Sequence, residues 1–290
     1  MKNTDTVYIT DMESTQDGTT VYFKGCPLRC KWCDRPASRN ISQEILFDID
    51  NCTRCGLCRS ACGVGMQKMK PDRVYDRCFC TNCGNCITAC PNGLLRRARR
   101  EMAVCDIVTE AEKHGRKLTV SGGEPTFQSK ELIALLKSAK NAGIETRVDT
   151  CGVFDPVIVK DLAAYADTIA FGIKDHDPTR FKVNTKGNLA TVLENLALVD
   201  SYGGKTLIRL LIIPEINLSY EYIVFAIKIF RSLKNCVGIE LSRYSPIGAR
   251  EAKLVDIFRY PVYKEPTDDD VVNICKILSG FGISENDLRL

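Results

Sequence analysis

The sequence predicts an α/β fold: a partial barrel of about six strand–helix units, interrupted near its start by a small cysteine-dense insert. Three observations carry this. Short apolar, β-branched runs alternate with amphipathic stretches over most of the chain, the pattern of parallel strands joined by right-handed helical crossovers. Chemically unusual residues fall directly after those runs, where an α/β fold collects its functional groups. Twelve of the sixteen cysteines lie between positions 26 and 90, which sets that region apart. A doubly wound open sheet is the architectural alternative.

TTVYFKG (19–25) reads as the first strand and runs into GCPLRC. The insert follows at 48–93, leaving 1–47 and 94–290 to the barrel. A helix is expected over 100–115, then the strand KLTVSGG (117–123), which leads into Glu124-Pro125. The helical KELIALLKSAKNAG precedes the strand ETRVDTCG (145–152), and PVIVKDLAAYA leads to DTIAFGIK (167–174). Helices over about 187–202 and 219–234 alternate with the strands KTLIRLLIIP (205–214) and CVGIELSRY (236–244). The region 262–290 reads as a final helix, with Pro266-Thr267-Asp268-Asp269-Asp270 as its capped, acidic first turn. The strand ends should therefore converge on one mouth.

The 290 residues are 44% hydrophobic and 26% charged, and the formal net charge of +4 is too mild to argue for nucleic acid. The N-terminus lacks an apolar signal core, and runs such as LIRLLIIP are far short of a membrane span. A soluble, cytoplasmic monomer with no membrane partner is expected. A secreted disulfide scaffold would be shorter and would spread its cysteines through the fold. With only His114 and His176, histidine-rich zinc chemistry is nearly excluded, so clustered thiols point to iron and sulfide.

The insert reads NCTRCGLCRSACG and then CTNCGNCITACPNG, with cysteines at 52, 55, 58, 62 and at 80, 83, 86, 90. Both runs are C-x2-C-x2-C-x3-C and the second closes with Pro91, the pattern of bacterial two-cluster ferredoxins, in which each run's fourth cysteine ligates the other cluster. One cluster then takes Cys52, Cys55, Cys58 and Cys90; the other takes Cys80, Cys83, Cys86 and Cys62. Gly56 and Gly84 fall where each loop must turn tightly. A pair of four-cysteine zinc knuckles is the alternative. Cys78 is left as a spare thiol, with a shifted ligand set using it as a second option.

Cys26, Cys30 and Cys33 form a set of three where a closed site takes four, so one iron of a cluster held there would stay open to a ligand. C-x3-C-x2-C with Trp32 before the last cysteine resembles the radical S-adenosylmethionine superfamily signature, and Gly122-Gly123-Glu124-Pro125 resembles that superfamily's GGEP motif. The resemblance implies a partial (β/α)6 radical-SAM barrel carrying a bacterial-ferredoxin-like domain with two auxiliary 4Fe–4S clusters. It also implies the chemistry. The open iron of a third 4Fe–4S cluster chelates S-adenosylmethionine, and one electron cleaves the sulfonium to a 5′-deoxyadenosyl radical that abstracts hydrogen.

Within the superfamily the chain resembles glycyl radical enzyme activating enzymes, which carry such an insert at this point. KGCPLRCKWC, SGGEP, Asp149-Thr150-x-Gly152, Ile173-Lys174 and the IRLxIIP run with Arg209 match in order. The resemblance implies a glycyl radical enzyme as partner and a flavodoxin- or ferredoxin-type electron donor. It places Trp32, Ser121, Gly122, Gly123, Glu124, Asp149, Thr150, Lys174, Arg209 and Tyr244 around the cofactor. Trp32 is expected against the adenine, Glu124 at the ammonium, and Asp149 and Lys174 near the carboxylate.

The chain departs from the family at four places. Asp17-Gly18 lacks a following Pro-Gly, Asp34-Arg35-Pro36 follows the third cysteine, Gly172 stands where an aspartate is usual, and Ser245 stands where a histidine is common. Two other functions compete: a radical enzyme acting directly on a small molecule or another peptide, and a ferredoxin-like electron carrier. The carrier leaves GGEP and the three-cysteine site unexplained. RRARR (96–100) reads as a solvated helix start or as a docking patch for an acidic donor. His176 is assigned no catalytic role, Cys151 is read as a bystander with lining the site as its alternative, and Cys105, Cys236 and Cys275 as small buried hydrophobes.

Overall fold

The computed structural model describes residues 5–64, 80–257 and 259–289. Its chain opens with the antiparallel hairpin β1 (Thr6–Thr15) and β2 (Gly18–Phe23). β3 (Ile45–Phe47), α1 (Leu57–Ser60), α2 (Asn85–Ala89) and β4 (Leu95–Arg97) make up and border the insert. β5 (Arg100–Ala103) and α3 (Val104–Lys113) return the chain to the main sheet.

From there strand and helix alternate: β6 (Lys117–Gly122), α4 (Ser129–Asn141), β7 (Glu145–Thr150), α5 (Val159–Tyr165) and β8 (Thr168–Ile173). α6 (Pro178–Thr185), α7 (Leu189–Ser201), β9 (Thr206–Ile212), α8 (Tyr220–Ser232) and β10 (Cys236–Arg243) continue the series. α9 (Ile247–Leu254), α10 (Asp268–Gly280) and the short β11 (Leu288–Arg289) complete it.

The described strands of the main sheet lie in the order β11-β10-β9-β8-β7-β6-β2-β1-β5. From β2 through β6 to β11 each neighbouring pair is parallel. This order never reverses, so there is no switch point of the kind a doubly wound sheet has, and right-handed crossovers put the helices on one face. The partial barrel is the architecture present. Its six predicted strands correspond to β2, β6, β7, β8, β9 and β10.

Alternation along the strands divides the two faces. Val120, Val148, Phe171, Ile208, Leu210 and Ile239 are buried against the helices in one continuous core. Arg147, Asp149, Gly172, Arg209 and Glu240 fall on the opposite phase, in register across β7 to β10. The concave face is thereby polar while the convex face is packed.

Three local expectations are corrected. The segment read as a helix from 100 starts as β5, which pairs antiparallel with β1; the helix begins at Val104. β1 was absent from the sequence reading altogether. The final helix spans Asp268–Gly280 rather than all of 262–290, though Thr267 and Asp270 form the expected capping box. No helix among the described residues is long and apolar enough to cross a membrane.

Candidate functional site

The loop leaving β2 is held from several sides. Cys26 N–H donates to the Arg39 carbonyl at 3.0 Å, while Arg29 and Lys31 N–H donate to Thr185 and Asn184 carbonyls at 2.7 and 3.0 Å, at the end of α6. Behind the loop, fully buried Lys24 donates to the Ala37 carbonyl at 2.6 Å and pairs with Glu44 at 3.3 Å. A buried charge is tolerated there because both partners meet it. Cys30 and Trp32 are buried, and Cys26 and Cys33 half-buried, against Leu28, Ile213 and Tyr244. The three cysteines and Trp32 all line a cavity of about 280 Å³.

The other predicted residues reach that cavity from the carboxyl ends of successive strands. Ser121, Gly122 and Gly123 come from β6, Asp149 and Thr150 from β7, and Lys174 follows β8. Arg209 comes from β9 and Tyr244 follows β10. Cys151 lines it too, packed with Cys26.

Glu124 is the exception. It is fully buried and does not line the cavity. Its carboxylate accepts from Thr126 N–H at 3.2 Å, Thr126 Oγ1 at 2.7 Å, Thr150 Oγ1 at 2.8 Å and Cys151 N–H at 2.6 Å. Through these bonds Glu124 ties the end of β6 to the end of β7. The glycines before it are also explained by packing. A Cβ on Gly122 would stand 2.3 Å from Phe23 N, and one on Gly123 2.3 Å from the Gly25 carbonyl oxygen. Gly122, at a φ of 117°, and Gly123 let β6 close against the cysteine loop.

Across the concave floor, Asp149 accepts from Arg147 at 2.7 Å and Arg209 at 3.0 Å. Glu240 accepts two bonds from Arg147, at 2.6 and 2.9 Å, and pairs with Arg209 at 2.9 Å. Burial by itself raises Glu240, but bonding to Arg147 and the charges of Arg147 and Arg209 outweigh it and hold the carboxyl below the usual range. Two cations and two anions balance here, so this floor is a preorganised base whose charges answer one another.

Lys174 is different. Among the described residues its ammonium has no hydrogen bond and no ion pair, although it faces the cavity. Burial works to lower it, yet the Cys30, Cys151 and Cys26 sulfurs facing it raise it overall. Gly172 makes room for it: a Cβ there would lie 3.0 Å from Lys174 Nζ. The departure from an aspartate at this position thus leaves a cation free for a ligand. Asp34 and Arg35 also line the mouth, with Arg35 stacked 3.3 Å over Tyr22 and paired to Glu13 at 3.0 Å.

Burial pushes the Cys33 thiol up to about 12 and raises Cys30 as well. Such thiols ionise against a bound cation, as metal ligands do. No group of three or more His, Cys, Asp or Glu side chains among the described residues converges tightly enough for a single metal ion. A cubane asks for less convergence, since each thiolate binds its own iron. Three sulfurs, a free ammonium and backbone at the glycine turn fit a cluster with one open iron and an amino-acid ligand on it.

The insert's cysteine runs repeat one conformation. Arg54 and Asn82 have φ of 57° and 58°, and Gly56 and Gly84 have φ of 82° and 89°. Arg54 N–H points to Cys52 Sγ at 3.3 Å and Asn82 N–H to Cys80 Sγ at 3.4 Å. α1 then presents Cys58, and α2 presents Cys86. Six of the thiols, Cys52, Cys58, Cys62, Cys80, Cys86 and Cys90, gather with Phe47 and Leu95 in one apolar cluster, while Cys55 and Cys83 are exposed. Burial and the neighbouring Cys52, Cys90 and Cys55 sulfurs raise Cys58. Cys78 lies outside the described residues.

RRARR is not a helix start. Arg97 donates to the Asn82 and Cys83 carbonyls at 2.9 and 3.4 Å, Arg99 pairs with Glu101 at 3.2 Å over the Tyr8 ring, and Arg100 lies 3.7 Å from Asp11. Sequence reasoning also missed Arg39 and Tyr260, which close over the cysteine loop from positions 221 residues apart.

Residues 20–226 match the Radical SAM superfamily. The chain is 28% identical over 266 residues to the choline trimethylamine-lyase activating enzyme of Oleidesulfovibrio alaskensis, covering 87% of this chain and 86% of that one. It is 32% identical over 241 residues to the trans-4-hydroxy-L-proline dehydratase activating enzyme of Clostridioides difficile, covering 79% and 80%. In structure it resembles a radical SAM methyltransferase from Sphaerobacter thermophilus, with a TM-score of 0.53 and 12% identity over 94% of this chain and 66% of that one. That likeness speaks to the fold alone.

Proposed function

The chain belongs to the radical SAM superfamily, and from that premise we propose that it is an activating enzyme for a glycyl radical enzyme. A reduced 4Fe–4S cluster held by Cys26, Cys30 and Cys33 would supply one electron to split S-adenosylmethionine into methionine and a 5′-deoxyadenosyl radical, which would take hydrogen from a glycine of the partner and leave as 5′-deoxyadenosine. The observation that carries the site is the free Lys174 ammonium beside Cys26, Cys30 and Cys33 at the mouth of the partial barrel.

Cys26, Cys30 and Cys33 would hold the cluster. Lys174 would neutralise the ligand's carboxylate by a charge-assisted bond, and backbone at Ser121, Gly122 and Gly123 would meet its amino group. Asp149 and Arg209, tied to Arg147 and Glu240, keep the cavity floor rigid and polar. Thr150 and Glu124 fix the β6–β7 edge. Trp32 and Tyr244 supply apolar walls and help exclude water.

The insert, 48–93, is read as a two-cluster relay, and 1–47 with 94–290 as the barrel. The repeated conformation of its two cysteine runs supports this, and the Cys90 sulfur beside Cys58 supports the crossed ligand assignment. A flavodoxin- or ferredoxin-type donor would reduce the chain, as a monomer in the cytoplasm, where thiols stay reduced.

The test is anaerobic incubation of reconstituted enzyme with S-adenosylmethionine, reductant and the candidate partner. A glycyl radical signal on the partner together with 5′-deoxyadenosine is the expected result. Cofactor cleavage that never yields a partner radical, but is stimulated by a small molecule, would instead favour direct action on that molecule.

A further inference from the structure

Arg39 is a half-buried cation, its Nε fully buried, that none of these roles uses. Its carbonyl accepts from Cys26 N–H at 3.0 Å and its Nη2 donates to the Cys30 carbonyl. Nη2 also bonds Tyr260 Oη at 3.2 Å, and Tyr260 in turn donates to the Cys33 carbonyl at 2.5 Å. The side chain and its tyrosine thus touch the backbone of Cys30 and Cys33, while the main chain of Arg39 holds Cys26. Arg39 has no carboxylate partner among the described residues, and its Nε is buried with no hydrogen bond. The Cys33 and Cys30 sulfurs face it, with Tyr260 beside them.

An unpaired buried N–H and an unmatched guanidinium are both costly. Both costs fall if sulfur bonded to iron is the missing acceptor, because hydrogen bonds to cluster sulfurs and nearby charge set a cluster's reduction potential. We propose that Arg39 is a positioning residue for the cluster of the three-cysteine loop, with Nε–H directed to sulfur at Cys33 and its positive charge favouring the reduced state. This rests on the assignment of Cys26, Cys30 and Cys33 as that cluster's ligands. The motif tail at 34–36 hid it from the sequence, because only folding brings Arg39 back to the loop.

The experiment is an EPR-monitored redox titration of the full, anaerobically reconstituted chain. It follows the cluster signal that disappears when Cys26, Cys30 and Cys33 are replaced by alanine. Arg39→Gln, which removes both charge and Nε–H, should weaken reduction about tenfold, a shift of about 59 mV to more negative potential for one electron. Arg39→Lys keeps the charge and loses Nε–H, so its midpoint should lie between those of Gln and wild type. If Arg39→Gln fails to load, the Lys variant against wild type decides alone. Equal midpoints overturn the proposal. A signal that survives the triple cysteine replacement overturns the ligand assignment beneath it.

Discussion

The three-cysteine loop and the insert present their thiols in opposite ways. In the loop, three sulfurs share a cavity with a free ammonium, a turn of glycine backbone and a polar floor whose charges are already matched. In the insert, two conformationally repeated runs turn six sulfurs inward to an apolar cluster, and the charged groups nearby are spent on holding backbone, as Arg97 holds Asn82 and Cys83. The first arrangement leaves room for a ligand; the second closes on itself. On the proposed assignment, the same residue type would serve ligand exchange in one place and electron relay in the other.

The sharpest way to break this contrast is to remove one thiol from each region. Cys33→Ala should abolish S-adenosylmethionine cleavage, a loss of at least about 10³-fold, whereas Cys55→Ala should lower iron content yet leave cofactor binding to the loop intact. Equilibrium binding and product chromatography check both. Equal loss of cofactor binding in the two variants would erase the distinction.

A smaller effect is expected at Lys174. Lys174→Ala removes one charge-assisted bond worth about 1.5–3 kcal/mol, so cofactor affinity should fall about 10- to 100-fold with cluster content unchanged. Loss of the cluster itself would mean the ammonium answers the thiolates rather than the ligand.

Glu124→Gln separates architecture from contact. The carboxylate's four donors are buried, so the variant should lose about 2–4 kcal/mol in denaturant unfolding while the folded fraction binds cofactor normally. A binding defect at unchanged stability would return Glu124 to the ligand.

The mildest prediction concerns α9, which braces the loop through Glu251 accepting from Ala37 N–H at 3.2 Å. Burial raises Glu251 to about 7. Its folded pKa lies above its unfolded value, so the folded state holds the extra proton between about 4.5 and 7 and stability falls as pH rises through that window. Glu251→Gln should flatten that slope by about 1–3 kcal/mol in urea titrations at pH 5 and pH 8. An unchanged slope would show that Glu251 is already ionised at low pH.

Much of this was legible in the sequence because period and spacing are local signals. The six βα units announced themselves by alternation, and the cysteine runs by their intervals. β1 was illegible because only Val7 and Ile9 of TVYITDMEST enter the core and its second half is polar, and β5 because Arg99-Arg100 suit a helix start until they meet Tyr8 and Asp11. The motif located Glu124, but its bonds to Thr150 Oγ1 and Cys151 N–H were illegible, since only the folded edge brings β7 to its carboxylate. Tyr260 lay beyond reach because its bond to Cys33 spans most of the chain, and Arg39 because no spacing shows that the loop folds back to place its side chain on Cys30.

The central claim is that the loop's cluster alone has an iron open to S-adenosylmethionine. Iron analysis with Mössbauer spectroscopy, with and without the cofactor, tests it most directly. Wild type should hold about twelve irons, of which about one changes its spectrum when the cofactor is added; the triple alanine variant of Cys26, Cys30 and Cys33 should hold about eight, none responding. Twelve irons in that variant, or a cofactor response that persists in it, would contradict the account.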